Sequence, residues 1–371
     1  MALGKVTVNN LNLFQGPITA IERTFLFIGP APQRHGDVLS INSQTELDTL
    51  LGEADSDLKS QLIAAKANGG QHWSAYAVPL AEGGTWQDAF ELAMEQKVSP
   101  EAVVITTPVA NQTDLQAMYA ASLSAINEHG RRMIFMATTP GITSEQTWSQ
   151  YLASQKALVI SVAAPRVCVV PQLHGNNVGV LAGRLCNSSV SIADSPMRVA
   201  TGPLVGLGPV PKDKEGMALP SVMITELDKI RLSVPQTYPD YPGTYWGDAS
   251  LLEQPGGDYQ VIEHLRIVDK AARQIRLLAI SKIADRSLNN TDLSIACNKN
   301  YFMTPLRQMS KSVRFMGRIF PNEIHQPTDS DIEIIWKSKT DVEIYLSLKP
   351  YNAPKSITVN IALDLSNKED K

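Results

Sequence analysis

The chain has 371 residues, 43% of them hydrophobic and 19% charged, with a formal net charge of -4. That length allows two domains, and the acidic balance argues against a nucleic-acid surface spread over the molecule. Three widely spaced cysteines (Cys168, Cys186, Cys297), no apolar run near membrane-span length and a start, Met1-Ala-Leu-Gly-Lys-Val, unlike a signal peptide exclude a disulfide framework, a zinc pattern and membrane insertion, and leave a reducing cytoplasm as the expected place of synthesis.

Residues 1–20 carry β-like patches, Val6/Val8 and Leu11/Leu13, whose phase slips at Asn9-Asn10 as at a bulge. This stretch is too short and polar to fold alone and reads as an extended arm. From Arg23 strands and helices alternate. A short apolar strand over 24–28 ends at Gly29-Pro30. Ser43 with Glu46 three residues on has capping-box spacing and opens a helix through Leu47, Leu50 and Leu51. Helices are predicted over 58–67, 85–96, 113–128, 144–157 and 176–187, and strands over 73–78, 102–106, 132–137 and 166–170. This alternation predicts a layered α/β domain with a largely parallel sheet.

After about residue 188 the rhythm stops. Residues 195–260 are rich in Pro and Gly and hold Tyr238, Tyr241, Tyr245, Trp246 and Tyr259. A long helix is predicted over 261–283, with an apolar stripe at 261, 265, 268, 272, 275 and 279, and a second over 303–315. Three strands follow. Ile332, Ile334 and Trp336 alternate in the first, and Val342, Ile344, Leu346 and Leu348 in the second. Ile357, Val359, Ile361, Leu363 and Leu365 alternate in the third, before the charged stretch 368–371. The fold class is thus α/β plus α+β with β-strand arms at both termini: an arm over 1–20, an α/β domain over 21–200, an α+β domain over 201–353 and a strand arm over 354–371. A strand at a terminus can pair at home or complete another molecule's sheet. The expectation is that 331–348 stays at home and 355–365 leaves.

Signals for catalysis are weak. No phosphate-binding G-x-x-x-x-G-K-[ST] occurs. Gly202, Gly206 and Gly208 have the wrong spacing for a dinucleotide fingerprint and read as a turn-rich loop. The six histidines lack ligand spacing, and no cofactor or metal site is expected. His174, after a buried-type strand, is the most catalytic-looking, but a loop histidine ahead of a helix is the plainer reading. Cys168 lies in an apolar run and reads as core, and Cys186 lacks an identifiable base.

One charged feature stands out. Between Leu293 and Asn322 there is no Asp or Glu, while Arg307, Lys311, Arg314 and Arg318 are spaced four, three and four, one face of a helix if it runs to Gly317. The plain reading is a solvated face; the functional one is a dock for an acidic protein surface.

Several segments resemble the tail sheath proteins of contractile phages and R-type bacteriocins. They are Gly16-Pro-Ile-Thr-Ala-Ile-Glu-Arg leading into Thr24-Phe-Leu-Phe-Ile-Gly-Pro-Ala-Pro, then Leu39-Ser-Ile-Asn-Ser-Gln-Thr-Glu-Leu-Asp-Thr-Leu-Leu-Gly, then Ala65-Lys-Ala-Asn-Gly-Gly-Gln-His-Trp-Ser-Ala-Tyr-Ala-Val, and Tyr245-Trp-Gly-Asp-Ala-Ser-Leu-Leu. The last is similar to a family pattern Trp-Gly-x-Arg-Thr-Leu, with Ala249 and Ser250 in place of its Arg and Thr. The resemblance runs from about residue 16 to the end and implies a divergent member.

It implies a structural subunit with no catalysis. Such subunits stack as hexameric rings into a helix around a tail tube, and their terminal arms add strands to neighbours' sheets. The C-terminal domain faces the tube and the α/β domain faces out. Contraction drives the tube through a cell envelope. The implied partners are other copies of the chain, the tube protein, and baseplate and tail terminator proteins, with no nucleic acid and no membrane insertion, in a virion tail or bacteriocin-like particle. Arg307, Lys311, Arg314 and Arg318 become expected tube contacts, and Val6, Val8, Ile357, Val359, Ile361 and Leu363 expected inter-subunit strand residues. Two other classes remain open: an α/β enzyme with an accessory domain, using His174 with Asp194 or Asp248, and an envelope-binding module built on the aromatics of 238–259.

Overall fold

A computed structural model describes residues 21–315 and 318–361. Val6, Val8 and Leu363 lie outside the described residues. In chain order the elements are Phe25–Pro30 (β1), Leu39–Asn42 (β2), Leu47–Leu51 (α1), Asp57–Gly69 (α2), Ser74–Leu80 (β3), Trp86–Glu95 (α3), Ala102–Pro108 (β4), Gln112–His129 (α4), Ile134–Thr139 (β5), Trp148–Val159 (α5), Ala164–Pro171 (β6) and Asn177–Cys186 (α6). Then come Ser221–Lys229 (α7), Pro235–Tyr238 (β7), Tyr241–Trp246 (β8), Leu251–Leu252 (β9), Ile262–Ile280 (α8), Asp292–Met309 (α9), Val313–Phe315 (β10), Arg318–Phe320 (β11), Ile332–Trp336 (β12) and Val342–Leu346 (β13). The protein is mixed α/β with a mostly parallel central sheet.

The chain divides into two compact units. The first runs to Gly141 and takes up Gln172–Ser188 and Val205–Pro209; the second holds Ile142–Pro171, Ser189–Leu204 and the chain from Val210.

In the first unit the strands lie in the order β2-β3-β1-β4-β5. β1 pairs in parallel with β3 and β4, β4 in parallel with β5, and β2 closes the edge antiparallel to β3. β1 and β5 are apolar and buried almost throughout, as strands covered on both faces must be. Polar side chains set the helix ends. Ser56, Thr85 and Asn111 accept hydrogen bonds from the third residue of α2, α3 and α4 respectively, and Gly130 closes α4 in the left-handed conformation. α2 and α6 meet backbone to backbone. A Cβ on Gly179 would lie 2.2 Å from the Gln61 carbonyl oxygen, and one on Gly183 would lie 2.3 Å from that of Ala65. The expected cap at Ser43 is not formed: α1 begins at Leu47 after Glu46, and Asn42 and Thr45 instead bond within a turn.

In the second unit β6 pairs antiparallel with β9, and β7 with β8. The Pro/Gly-rich passage thus contains a helix, a hairpin and a sheet strand. α8 ends at Ile280, short of 283; of the expected stripe Leu265 and Ile275 are buried and 261, 268, 272 and 279 half-buried, while Ile262, Ile267 and Ala271 beside it are buried as well. The difference has a polar cause. Glu263, Arg266 and Asp269 are buried as well, so the first half of α8 is covered on more than one side. Asp269 pairs with Arg166 of β6. Ile275, Phe302, Met303, Ile332 and Ile334 form one apolar cluster that seats the β12–β13 ribbon on α8 and α9.

α9 starts eleven residues before the expected position and stops six before the expected end. Thr291 caps it through the Ser294 amide, and Pro305 lies inside it. Beyond Met309 the β-branched and aromatic residues Val313, Phe315, Ile319 and Phe320 favour a hairpin, and β10 pairs antiparallel with β11.

Candidate assembly surface

The surface of interest is built from the end of the described chain. After β13 the backbone stays against its own unit for a few residues: the His325 amide donates to Lys349 O at 2.8 Å, and the His325 ring stacks on Tyr351 at 3.9 Å. From 352 onward every described residue is exposed. Ile357, Val359 and Ile361 are 76%, 74% and 91% exposed. Among the described residues, 356–361 have no backbone hydrogen-bond partner. The third predicted strand is not formed over the described 356–361: the segment keeps the alternating apolar pattern, but no sheet among the described residues takes it up.

Just before this segment stands Lys355. Its Nζ donates to Asp248 Oδ1 and Oδ2 at 2.8 and 2.7 Å and meets Glu263 Oε1 at 2.9 Å. The Glu263 side chain is only 6% exposed, and among the described residues its Oε2 has no hydrogen-bond partner. Burial alone would lower the Lys355 ammonium, but Glu263 and Asp248 outweigh it and hold the pKa above the ordinary lysine value. Burial, against the pull of Lys355, pushes the Glu263 carboxyl up. Asp228 on α7 is raised too, by burial first and then by Asp248. The turn presenting Asp248 is rigid. Ser233 Oγ donates to the Asp248 carbonyl at 2.8 Å and accepts from the buried Trp246 Nε1 at 2.8 Å. No spacing in the sequence flags this pocket, since its members lie in four separate segments.

The β12–β13 ribbon is the complementary feature. It pairs Ile332 with Leu346 through Trp336 with Val342 and has no third strand among the described residues. Among the described residues its two outer edges carry no further strand.

The basic residues are not one helical face. Arg307 lies in the last turn of α9, with its guanidinium on Asn300 Oδ1 at 2.8 Å. Lys311 follows the helix, Arg314 is in β10 and Arg318 opens β11. The helical reading fails because the chain turns into a hairpin. Arg307, Lys311 and Arg314 are exposed and, among the described residues, make no ion pair; the Arg318 side chain lies outside the described ones.

The other candidates have structural partners. His174 accepts from Asn177 Nδ2 at 3.3 Å, and burial lowers its pKa to about 4, so it is neutral. Asp194 accepts from the Ser191 amide, and Asp248 holds Lys355. Cys168 is fully buried, its thiol pushed up to about 12 by burial. Cys186 is the buried last residue of α6. Near Gly206 and Gly208 the backbone is held by Asn176, whose Nδ2 donates to Gly206 O and whose Oδ1 accepts from Gly208 N. Tyr238 and Tyr241 both pack on the buried Tyr245 ring. No described helix is long and apolar enough to cross a membrane.

Comparison with known proteins agrees with the fold and the resemblance. The N-terminal domain model of the family DUF2586 matches residues 3–250, and its C-terminal domain model matches 258–366. A protein of Haemophilus phage HP1 (strain HP1c1), named "Putative tail sheath protein", is 45% identical over 98% of both chains. Among solved structures, the sheath complex of the extracellular contractile injection system PVC, in its contracted state, aligns with a TM-score of 0.62 over 98% of both chains at 15% identity. The crystal structure of a sheath tail protein from Desulfitobacterium hafniense aligns with a TM-score of 0.54 at 10% identity, over 93% of this chain and 96% of that one. At such identities these two are likenesses of fold. The chain belongs to the DUF2586 family and to the contractile tail sheath proteins that its sequence resembles.

Proposed function

We propose that the chain is the repeating subunit of a contractile sheath: it stacks as hexameric rings around a tail tube, holds its neighbours by exchanged terminal strands, and contracts to drive the tube through a cell envelope. The observation that carries this reading is the pairing deficit within one chain. Residues 356–361 alternate apolar side chains, 74–91% exposed at 357, 359 and 361, while β12–β13 has no third strand among the described residues. The β12–β13 ribbon is seated on α8 and α9 but is only two strands wide, and strand addition would give both ribbon and arm main-chain hydrogen bonds. The ribbon's two edges match an arm at each end of the chain, with Val6 and Val8 in one and Ile357, Val359, Ile361 and Leu363 in the other. Residues 201–353 face the tube, where Arg307, Lys311, Arg314 and Arg318 contact its acidic residues, and residues 21–200 face out. Baseplate and terminator proteins bound the polymer, which forms in the bacterial cytoplasm and becomes part of the particle. The role is structural, and contraction draws on interfaces with two stable packings.

A chain ending at Lys355 tests the exchange. It is expected to be folded, with the melting temperature of the full chain, and to form no rings or tubes in negative-stain micrographs. Tubes from the truncated chain would refute exchange by the C-terminal arm.

A further inference from the structure

The exposed arm has a root held by charge. Lys355 is seated between Asp248, which precedes β9, and Glu263, in the first turn of α8. The seat is built rather than casual. Two of the three contacts are hydrogen bonds of 2.7–2.8 Å to one carboxylate. The second carboxylate is almost fully covered, with one oxygen left unpartnered among the described residues. A covered carboxylate without its cation is costly, so the pocket favours an occupied state. Among the described residues the last backbone hydrogen bond of this stretch is the one to Lys349 O, and Lys355 is the last residue whose side chain is tied to the body.

We propose that Lys355 is a latch: seated between Asp248 and Glu263, it fixes the point at which the C-terminal arm leaves its own body. The latch rests on the exchange reading for its purpose, not for its existence. With the root fixed, the arm's reach is counted from Lys355, and the described six residues, 356–361, can span at most roughly 20 Å. A pull on the arm passes into α8 and the Trp246 turn instead of peeling Tyr351 and β13 from the body. Asp248 sits in the segment Tyr245-Trp-Gly-Asp-Ala-Ser-Leu-Leu, so that stretch carries the bidentate carboxylate of the latch.

The latch is read on the unassembled full-length chain through Lys355 itself. The Lys355 side chain is 32% exposed, but an ammonium held by two carboxylates must leave them before it reacts with acylating reagents or enters trypsin's pocket. In the unsubstituted protein, acetic anhydride is expected to label Lys355 at least about fivefold more slowly than the exposed Lys214, as expected when hydrogen bonds to charged groups must open first. In the isosteric double variant Asp248→Asn, Glu263→Gln, labelling of Lys355 and tryptic cleavage after it rise about fivefold or more, while Lys214 is unchanged. Equal labelling of Lys355 and Lys214 in the unsubstituted protein overturns the latch, with no variant needed. Failure of the exchange reading looks different: a chain ending at Lys355 polymerises while Lys355 stays protected.

Discussion

At the scale of single residues, charge sets the edges of the second unit. Asp331, just before β12, accepts from Lys349 Nζ at 2.8 Å and from the Thr328 amide and hydroxyl at 2.8 Å each. The lysine bond first, then Thr328, holds its pKa at about 2. A carboxylate lowered on folding contributes stability above its ordinary pKa and loses it as pH falls through the folded value. Asp331 is covered but Lys349 is 60% exposed, so screening reduces the contribution to roughly 1 kcal/mol. Asp331→Asn is expected to lower unfolding free energy by about that amount at pH 7, the gap closing between pH 4 and pH 2 in denaturant titrations. A gap that does not depend on pH would mean that shape, not charge, is what the site supplies.

At the scale of elements, a period of two has a testable face. In a strand paired with a neighbour, Ile357, Val359 and Ile361 share one side and Thr358 and Asn360 the other. Val359→Asp is expected to abolish tube formation, and Thr358→Asp to leave it intact. Neither shifts the melting temperature of the unassembled chain, because Val359 is 74% exposed there. Equal effects of the two on assembly would show that the arm does not dock as a strand. Much of the fold was legible by the same period. β1, β4, β5, β6, β12 and β13 stand where apolar alternation or apolar runs place them, and α2, α3 and α4 lie where the caps Ser56, Thr85, Asn111 and Gly130 allow. Two features in particular were not legible. The four-three-four spacing from Arg307 to Arg318 imitates a helix, but hairpin pairing of Val313 with Phe320 outweighs it, and charge spacing carries no packing energy of its own. The Lys355 pocket joins residues 107 positions apart in the chain, and an ion pair between distant segments leaves no periodic trace.

At the scale of the whole molecule, weak contacts gain strength by repetition. The chain is net acidic, yet 294–321 has no carboxylate, and Arg307, Lys311 and Arg314 are exposed without an ion pair among the described residues. In the proposed sheath, exposed pairs with an acidic tube would be worth roughly 0–1 kcal/mol each, so one subunit would hold the tube poorly and a ring of copies would hold it many times over. Such a hold would be strong in the polymer and could still be released stepwise. It is also screened, since the Debye length is about 8 Å at physiological ionic strength. The double reversal Arg307→Glu, Arg314→Glu is therefore expected to leave the melting temperature of the unassembled chain unchanged, because neither side chain has a charge partner among the described residues. Co-assembly with the tube protein should fall by an order of magnitude or more in pelleting assays at low salt, and the difference from the unsubstituted chain should shrink as salt rises. Undiminished co-assembly would place the tube contacts elsewhere. A loss that does not depend on salt would point to a shape defect in the β10–β11 hairpin instead of a lost attraction, and Arg314→Gln separates the two, since it removes the charge with little change in length.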